Sequence, residues 1–175
     1  FGPGYARKLK RRQGQLGDIW HLDEVFVRIR GERHYLWRAV DQDGDVLDIL
    51  VQRYRSAHAA KRFFRKLLKG QERTPLQLVT DRLKSYGAAR RSIMPSVEHN
   101  TVRYANNRAE VSHQPTRSRE RQMRGFKSPG QAQQFLSIHG VIQNFFRLSR
   151  HRMRPEHYRL LRARSFEAWS VATGA

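Results

Sequence analysis

Cysteine is absent from this chain of 175 residues, so neither a disulfide framework nor a thiolate zinc site is open to it. Nothing in that composition points to an oxidising compartment, and a cytoplasmic protein is expected. Long apolar runs are missing as well. The stretch Leu47-Asp48-Ile49-Leu50-Val51 is typical of the apolar runs, and a bilayer span needs roughly 20 residues. No membrane helix and no signal peptide are predicted. Acid is scarce, with 15 Asp+Glu against 35 Lys+Arg and a formal net charge of +20. A compact chain with that excess repels itself unless a polyanion neutralises it, which points to DNA or RNA as partner. A basic membrane-surface helix fits less well, because the arginines are spread over several elements. The length suits one domain of ordinary size.

The charge is unevenly placed. Residues 1–17 carry a net +5, residues 18–48 a net −4 with eight of the acids, and residues 49–175 a net +19. The first segment reads as a basic linker punctuated by Gly2, Gly4, Gly14 and Gly17. Apolar alternation predicts strands over Asp18 to Arg30, His34 to Val40 and Val46 to Tyr54, separated by turn signals at Gly31-Glu32 and around Gly44. Helical spacing then takes over at Ala57, Ala60, Phe63, Phe64, Leu67 and Leu68, with Ser56 as N-cap and Gly70 as stop. A short apolar strand, Leu76 to Asp81, ends in an acid. A helix over Leu83 to Ile93, a fifth strand over Val97 to Tyr104, and a basic helix from Asn107 to Arg124 interrupted at Pro115 follow. Helices over Gln131 to Phe146 and Glu156 to Trp169 close the chain. This order predicts an α/β fold of ribonuclease H-like type: a mixed five-stranded sheet flanked by helices, with extra C-terminal helices.

In that topology the first and fourth strands are neighbours, which would bring three carboxylates together. Asp23 interrupts the first strand, where an acid is unfavourable unless paired. Asp81 ends the fourth, and Glu110 lies in the first turn of the helix after the fifth. Oxygen ligands of this kind suit Mg²⁺, and two such ions about 3.5–4 Å apart serve phosphodiester displacement. Each residue also has a plainer role available: Asp81 as a helix N-cap, Glu110 as the third residue of a capping box begun by Asn107, and Asp23 as a surface acid beside Glu24.

At these residues a resemblance becomes specific. The stretches Trp20-His21-Leu22-Asp23-Glu24, Tyr35-Leu36-Trp37-Arg38-Ala39-Val40-Asp41, Val79-Thr80-Asp81-Arg82-Leu83-Lys84-Ser85-Tyr86-Gly87 and Tyr104-Ala105-Asn106-Asn107-Arg108-Ala109-Glu110 resemble the catalytic core of a bacterial insertion-sequence transposase of family six, a branch of the Asp-Asp-Glu transposase and integrase superfamily. Gly125-Phe126-Lys127-Ser128 continues the likeness, which covers about residues 18–146. It implies that Asp23, Asp81 and Glu110 are the catalytic, metal-binding triad for two Mg²⁺ ions, with Mn²⁺ as a substitute. It also implies double-stranded DNA substrates (transposon ends and target), a homodimer or higher multimer on DNA, and a bacterial, nucleoid-associated location when DNA is bound. The division implied is a linker at 1–17, a catalytic domain at 18–146 and a helical extension at 147–175. Only 28 residues separate Asp81 from Glu110, fewer than is usual in the superfamily, so a shortened helix or loop before Val97 is expected. Arg82 stands where lysine is usual and Val111 where a polar residue is. No helix-turn-helix precedes Trp20 and the chain opens on Phe1, so a catalytic fragment or truncated copy is expected.

The one-sided basic helix supplies the best DNA contacts. Arg108, Arg117, Arg119, Arg121 and Arg124, with Lys84 and Lys127, are the candidates to hold phosphates beside the scissile bond. Asp41, Asp43 and Asp45 around Gly44 read as a hairpin turn and not a calcium loop, since position twelve would be Gln52. His21, His99 and His113 lack zinc spacing and read as polar surface or substrate contacts. Trp20 and Trp37 read as core. The alternatives to a transposase are a catalytically inactive, transposase-derived DNA-binding protein and a basic RNA-binding or ribosomal protein, which would leave the three placed acids unexplained.

Overall fold

The computed structural model describes residues 2–12, 16–102, 104–123, 125–148 and 153–174. Strands β1 (Ile19–Ile29), β2 (Glu32–Asp41) and β3 (Val46–Gln52) make the antiparallel meander that alternation predicts. Helix α2 (Ala57–Gln71) crosses to β4 (Gln77–Thr80), parallel to β1, and α3 (Lys84–Ile93) crosses to β5 (Glu98–Asn100), parallel to β4. The sheet order is β3-β2-β1-β4-β5, so the first and fourth strands are neighbours, as expected.

The ends of these elements follow local chemistry. Ser56 caps α2 by accepting from the Ala59 N–H at 3.2 Å, but the helix runs past Gly70 and stops at Glu72, which takes the left-handed conformation. Strand β5 is much shorter than its apolar pattern predicts. The Asn100 side chain accepts the Val102 N–H at 2.9 Å, closing a turn where the ladder would have continued.

Alternation along β1 serves two cores. Trp20 and Leu22 face the side covered by α2 and α3, where Trp37 packs edge-on against Tyr86 at 5.4 Å and Tyr86 stacks on Phe64 at 6.2 Å. Val27 and Ile29 join the opposite core with Leu36, Ile49, Phe126 and Leu136. Trp20 and Trp37 are fully buried, which bears out their reading as core.

The predicted basic helix is two helices, α4 (Asn107–Ser112) and α5 (Gln114–Gln122), with the break at His113. Pro115 therefore sits in the first turn of α5, where its missing N–H leaves no bond unmade. Helices α6 (Pro129–Phe146) and α7 (Pro155–Thr173) follow.

The chain divides into two compact parts, residues 16–137 and residues 1–15 with 138–175. In the second, residues 2–12 form helix α1 (Gly2–Arg12) where the glycines predict a linker. The apolar pair Tyr5 and Leu9, one turn apart, outweighs Gly2 and Gly4: Leu9 is fully buried, and Lys8 Nζ donates to the Ala172 carbonyl at 3.3 Å. Phe146 lies 5.2 Å from Phe166 and 5.7 Å from Trp169 in the same part. Among the described residues no helix is long and apolar enough to cross a membrane.

Candidate active site

The parallel ladder between β1 and β4 ends at Leu22 opposite Thr80. The next residue after each is an aspartate, so this register sets Asp23, midway along β1, level with Asp81, just past the carboxyl end of β4. Oxygens of Asp23, Asp81 and Glu24 all lie within 4.8 Å of one another. A donor set made only of carboxylates fits a hard divalent cation, and no histidine joins it among the described residues.

Asp23 is held from the α4–α5 side. His113, almost fully buried, places Nε2 3.3 Å from Asp23 Oδ2. Burial holds the His113 pKa below its ordinary value, although Asp23 pulls it up. The residue directly across the strand pair from Asp23 is Arg38, buried, with Nη1 donating to Thr116 Oγ1 at 2.9 Å. Asp81 divides its two oxygens. Oδ1 accepts the Leu83 N–H at 3.0 Å in a local turn, although the N-cap of α3 is Leu83 and not Asp81, while Oδ2 faces Arg55 Nη2 at 3.8 Å.

Glu24 is the site residue the sequence reading passed over as a surface neighbour of Asp23. Its side chain is 1% exposed and accepts from Arg55, with Nη2 at 2.5 Å and Nε at 2.6 Å from Oε1. Burial pushes the carboxyl above its ordinary pKa, Tyr86 and Arg55 pull it back, and Asp81 and Asp23 repel it. The available signal was strand parity: Glu24 shares its face of β1 with Trp20 and Leu22, the side that enters the core. The Arg55 guanidinium thus pairs with Glu24 and faces Asp81.

Glu110 is exposed on α4 and stands outside that cluster of three. It lines, with Asp81, Thr80, Asn106 and Asn107, a cleft of about 450 Å³. The predicted capping box does not form. The N-cap of α4 is Asn106, not Asn107, and its side chain makes no cap bond. Instead Asn106 Nδ2 donates to the Leu22 carbonyl at 2.7 Å, in the interior, so α4 is tied to β1 one residue before Asp23. Beneath the cleft, Thr80 Oγ1 lies 2.8 Å from His99 Nε2, and burial with Arg90 and Arg91 lowers the His99 pKa. Burial, then Arg108, lowers that of His21. The three histidines are therefore partly or wholly interior groups, with His113 against Asp23.

Lys84, Arg108, Arg117, Arg119, Arg121 and Lys127 are all exposed, as DNA contacts require, and Arg124 lies outside the described residues. Arg119 Nη1 donates to Gln122 Oε1 at 3.1 Å.

Comparison with known proteins agrees with this architecture. A DDE domain family of the IS240 transposase type matches residues 17–149. The transposase for insertion sequence-like element IS431mec from Staphylococcus aureus is 32% identical over 106 residues, covering 58% of this chain and 47% of that protein. The chain spans about half the length of the curated relatives it matches. Among solved structures, the HTLV-2 integrase catalytic core domain in complex with magnesium superposes with a TM-score of 0.52 at 16% identity, over 82% of this chain and 94% of that one. The catalytic core domain of BIV integrase gives 0.52 at 16%, over 87% and 99%. The fold is the ribonuclease H-like one of integrase catalytic cores, as the order of elements predicts.

Proposed function

This chain belongs to the DDE domain family of transposases, and from that premise we propose that it is the part of a transposase that cuts DNA at element ends and joins the freed 3′-hydroxyl to target DNA. The single observation that carries the reading is the convergence of Asp23, midway along β1, with Asp81, just past the end of the adjacent parallel strand β4. Asp23, Asp81 and Glu110 are the proposed ligands, and Mg²⁺ the proposed ion, with Mn²⁺ as substitute. An integrase core of the same fold is described with magnesium. A pair of such ions, when bound, activates the attacking oxygen and stabilises the leaving one in an in-line displacement at phosphorus.

The protein's own residues set the stage for that step. His113 steadies Asp23, the Leu83 N–H fixes Asp81 through Oδ1 while Oδ2 faces Arg55, and Glu110 offers its carboxylate from across the cleft. In the first reaction water oxygen bonds to phosphorus, the bond to the 3′ oxygen breaks, and a 3′-hydroxyl leaves. In the second the oxygen of that hydroxyl bonds to a target phosphorus in the same site while the bond from that phosphorus to the target's 3′ oxygen breaks and leaves a target 3′-hydroxyl, with no covalent enzyme intermediate. Lys84, Arg108, Arg117, Arg119, Arg121, Arg124 and Lys127 are proposed to hold the flanking phosphates of the two duplexes, which a dimer or higher multimer would present together.

The test is Asp23→Asn, Asp81→Asn and Glu110→Gln, each assayed for Mg²⁺-dependent nicking and strand transfer on an element-end duplex. Each should abolish both steps while DNA binding holds or strengthens, and double variants should match the singles because the ligands act as a unit. Near-parental nicking by any one of them removes that residue from the ligand set.

A further inference from the structure

The tip of the β1–β2 hairpin carries cations in places that the isolated fold disfavours. Arg28 stands directly opposite Arg33 in the antiparallel pair, a like-charge opposition that destabilises a hairpin. Arg33 rests over the Phe26 ring at 5.3 Å, while neither Arg28 nor Arg30 has an ion-pair partner among the described residues. The turn places Arg30 at φ 53° and Gly31 at φ 81°. Two positive φ values suit Asn-Gly or Asp-Gly, and arginine is a poor choice for the first of them.

These arginines border a second, basic groove. Beyond Thr80 the edge of β1 is left by β4, and Phe126 takes up a parallel bridge to Ile29. Gly125, at φ 86°, makes the reversal that brings Phe126 there. The result is a groove of about 730 Å³ in which Arg28 and Arg30 of the hairpin face Arg121 and Lys127, with Glu120 as the single acid. Four cations from two separate stretches of chain converge there, and two of them sit at backbone or cross-strand positions that cost stability.

We infer that this groove is a binding site for the sugar-phosphate backbone of duplex DNA, with Arg28 and Arg30 as its new members; the inference rests on the transposase reading for the identity of the polyanion. Arg28 is five residues along β1 from Asp23, roughly 17 Å at about 3.3 Å per residue.

Binding of a 40-base-pair duplex of arbitrary sequence to the full chain in EDTA, measured as log K against log[salt], tests this. Arg28→Gln with Arg30→Asn should lower the slope by about 1.8, about 0.9 for each lost contact, so that the parent loses about twelvefold more affinity than the variant between 50 and 200 mM salt. Arg30→Asn alone should lower the slope by about half as much while raising the thermal midpoint, since asparagine suits the left-handed position, and this variant keeps the test valid if the double one folds poorly. Arg28→Lys with Arg30→Lys should keep the parental slope. An unchanged slope in Arg30→Asn and in the double variant, or a change seen with single-stranded RNA and not with the duplex, overturns the inference. Loss of the inference leaves the transposase reading standing if nicking persists. A lowered slope in a chain that never nicks DNA overturns the reaction and not the groove.

Discussion

His113 Nε2 lies 3.3 Å from Asp23 Oδ2, and His113 is the residue at which α4 ends and α5 begins. With the Asn106 amide bonded to the Leu22 carbonyl at 2.7 Å, α4 is fastened to β1 at both of its ends, on either side of Glu110. Glu110 therefore owes its place across the cleft to two interior contacts made by its neighbours. Its own side chain is exposed.

Asn106→Ala removes one of those fastenings. It should cost about 1–2 kcal/mol in a chemical denaturation curve, the usual loss when a buried polar group is left without its partner. Cleavage should fall by far more than that loss of stability implies, on the order of a hundredfold for a ligand displaced by about 1 Å. A drop in stability with cleavage near the parental rate would show that Glu110 needs no such tether.

The Glu24–Arg55 pair yields a second expectation. Arg55→Gln leaves a carboxylate of 1% side-chain exposure without its cation, and the cost should be roughly 2–3 kcal/mol. Adding Glu24→Gln should restore most of the loss, because two neutral groups have no unpaired charge to bury. A double variant no more stable than Arg55→Gln would mean that Arg55 acts by packing its stem and not by its charge.

These residues also mark how far the sequence was legible. Asp23 and Asp81 could be paired in advance because strand period and element order fix which strands adjoin, and the register then follows. For Glu24 strand parity gave the face, but not its partners, since Arg55 arrives from the loop after β3 and Tyr86 from α3. Nor was α1 legible, where glycine signalled punctuation but burial of Leu9 decided the helix. The short β5 turned on one Asn100 side chain outbidding a ladder bond. Local pattern read the frame correctly, and contacts between distant segments decided the exceptions.

Arg117 is placed for a further test. Its charge helps to lower the pKa of His113, so it stands near the Asp23 side of the site. Arg117→Gln should weaken duplex binding and reduce the salt slope by about 0.9, without changing preference among sequences. An NMR titration should show the His113 pKa rising toward its ordinary value in the same variant. A normal slope with a raised His113 pKa would leave Arg117 as a local electrostatic neighbour with no phosphate contact.

Stability should fall as pH is lowered from 7.5 through 6.5, and the sign follows from the three histidines. Burial depresses the pKa of His21, His99 and His113 below the ordinary 6.5 that each regains when unfolded. Between the depressed values and 6.5 the unfolded chain binds more protons than the folded one, so acid favours unfolding and the stabilisation present above 6.5 is lost on the way down. Glu24 and Glu120 work in the opposite sense, because their raised values let the folded state hold protons that the unfolded state gives up above 4.5. Their effect belongs to the lower window, just above 4.5, and softens the decline there. Urea midpoints taken at intervals from pH 7.5 to 5.5 should therefore drop, with the steepest part near 6.5. His99→Gln should flatten part of that drop, since its ring faces Arg90 and Arg91 and is the histidine furthest from the carboxylate pair in its electrostatics. A midpoint that rises on acidification across this range would mean that the carboxyl groups with raised pKa, not the histidines, dominate the difference in proton uptake between the folded and unfolded chain.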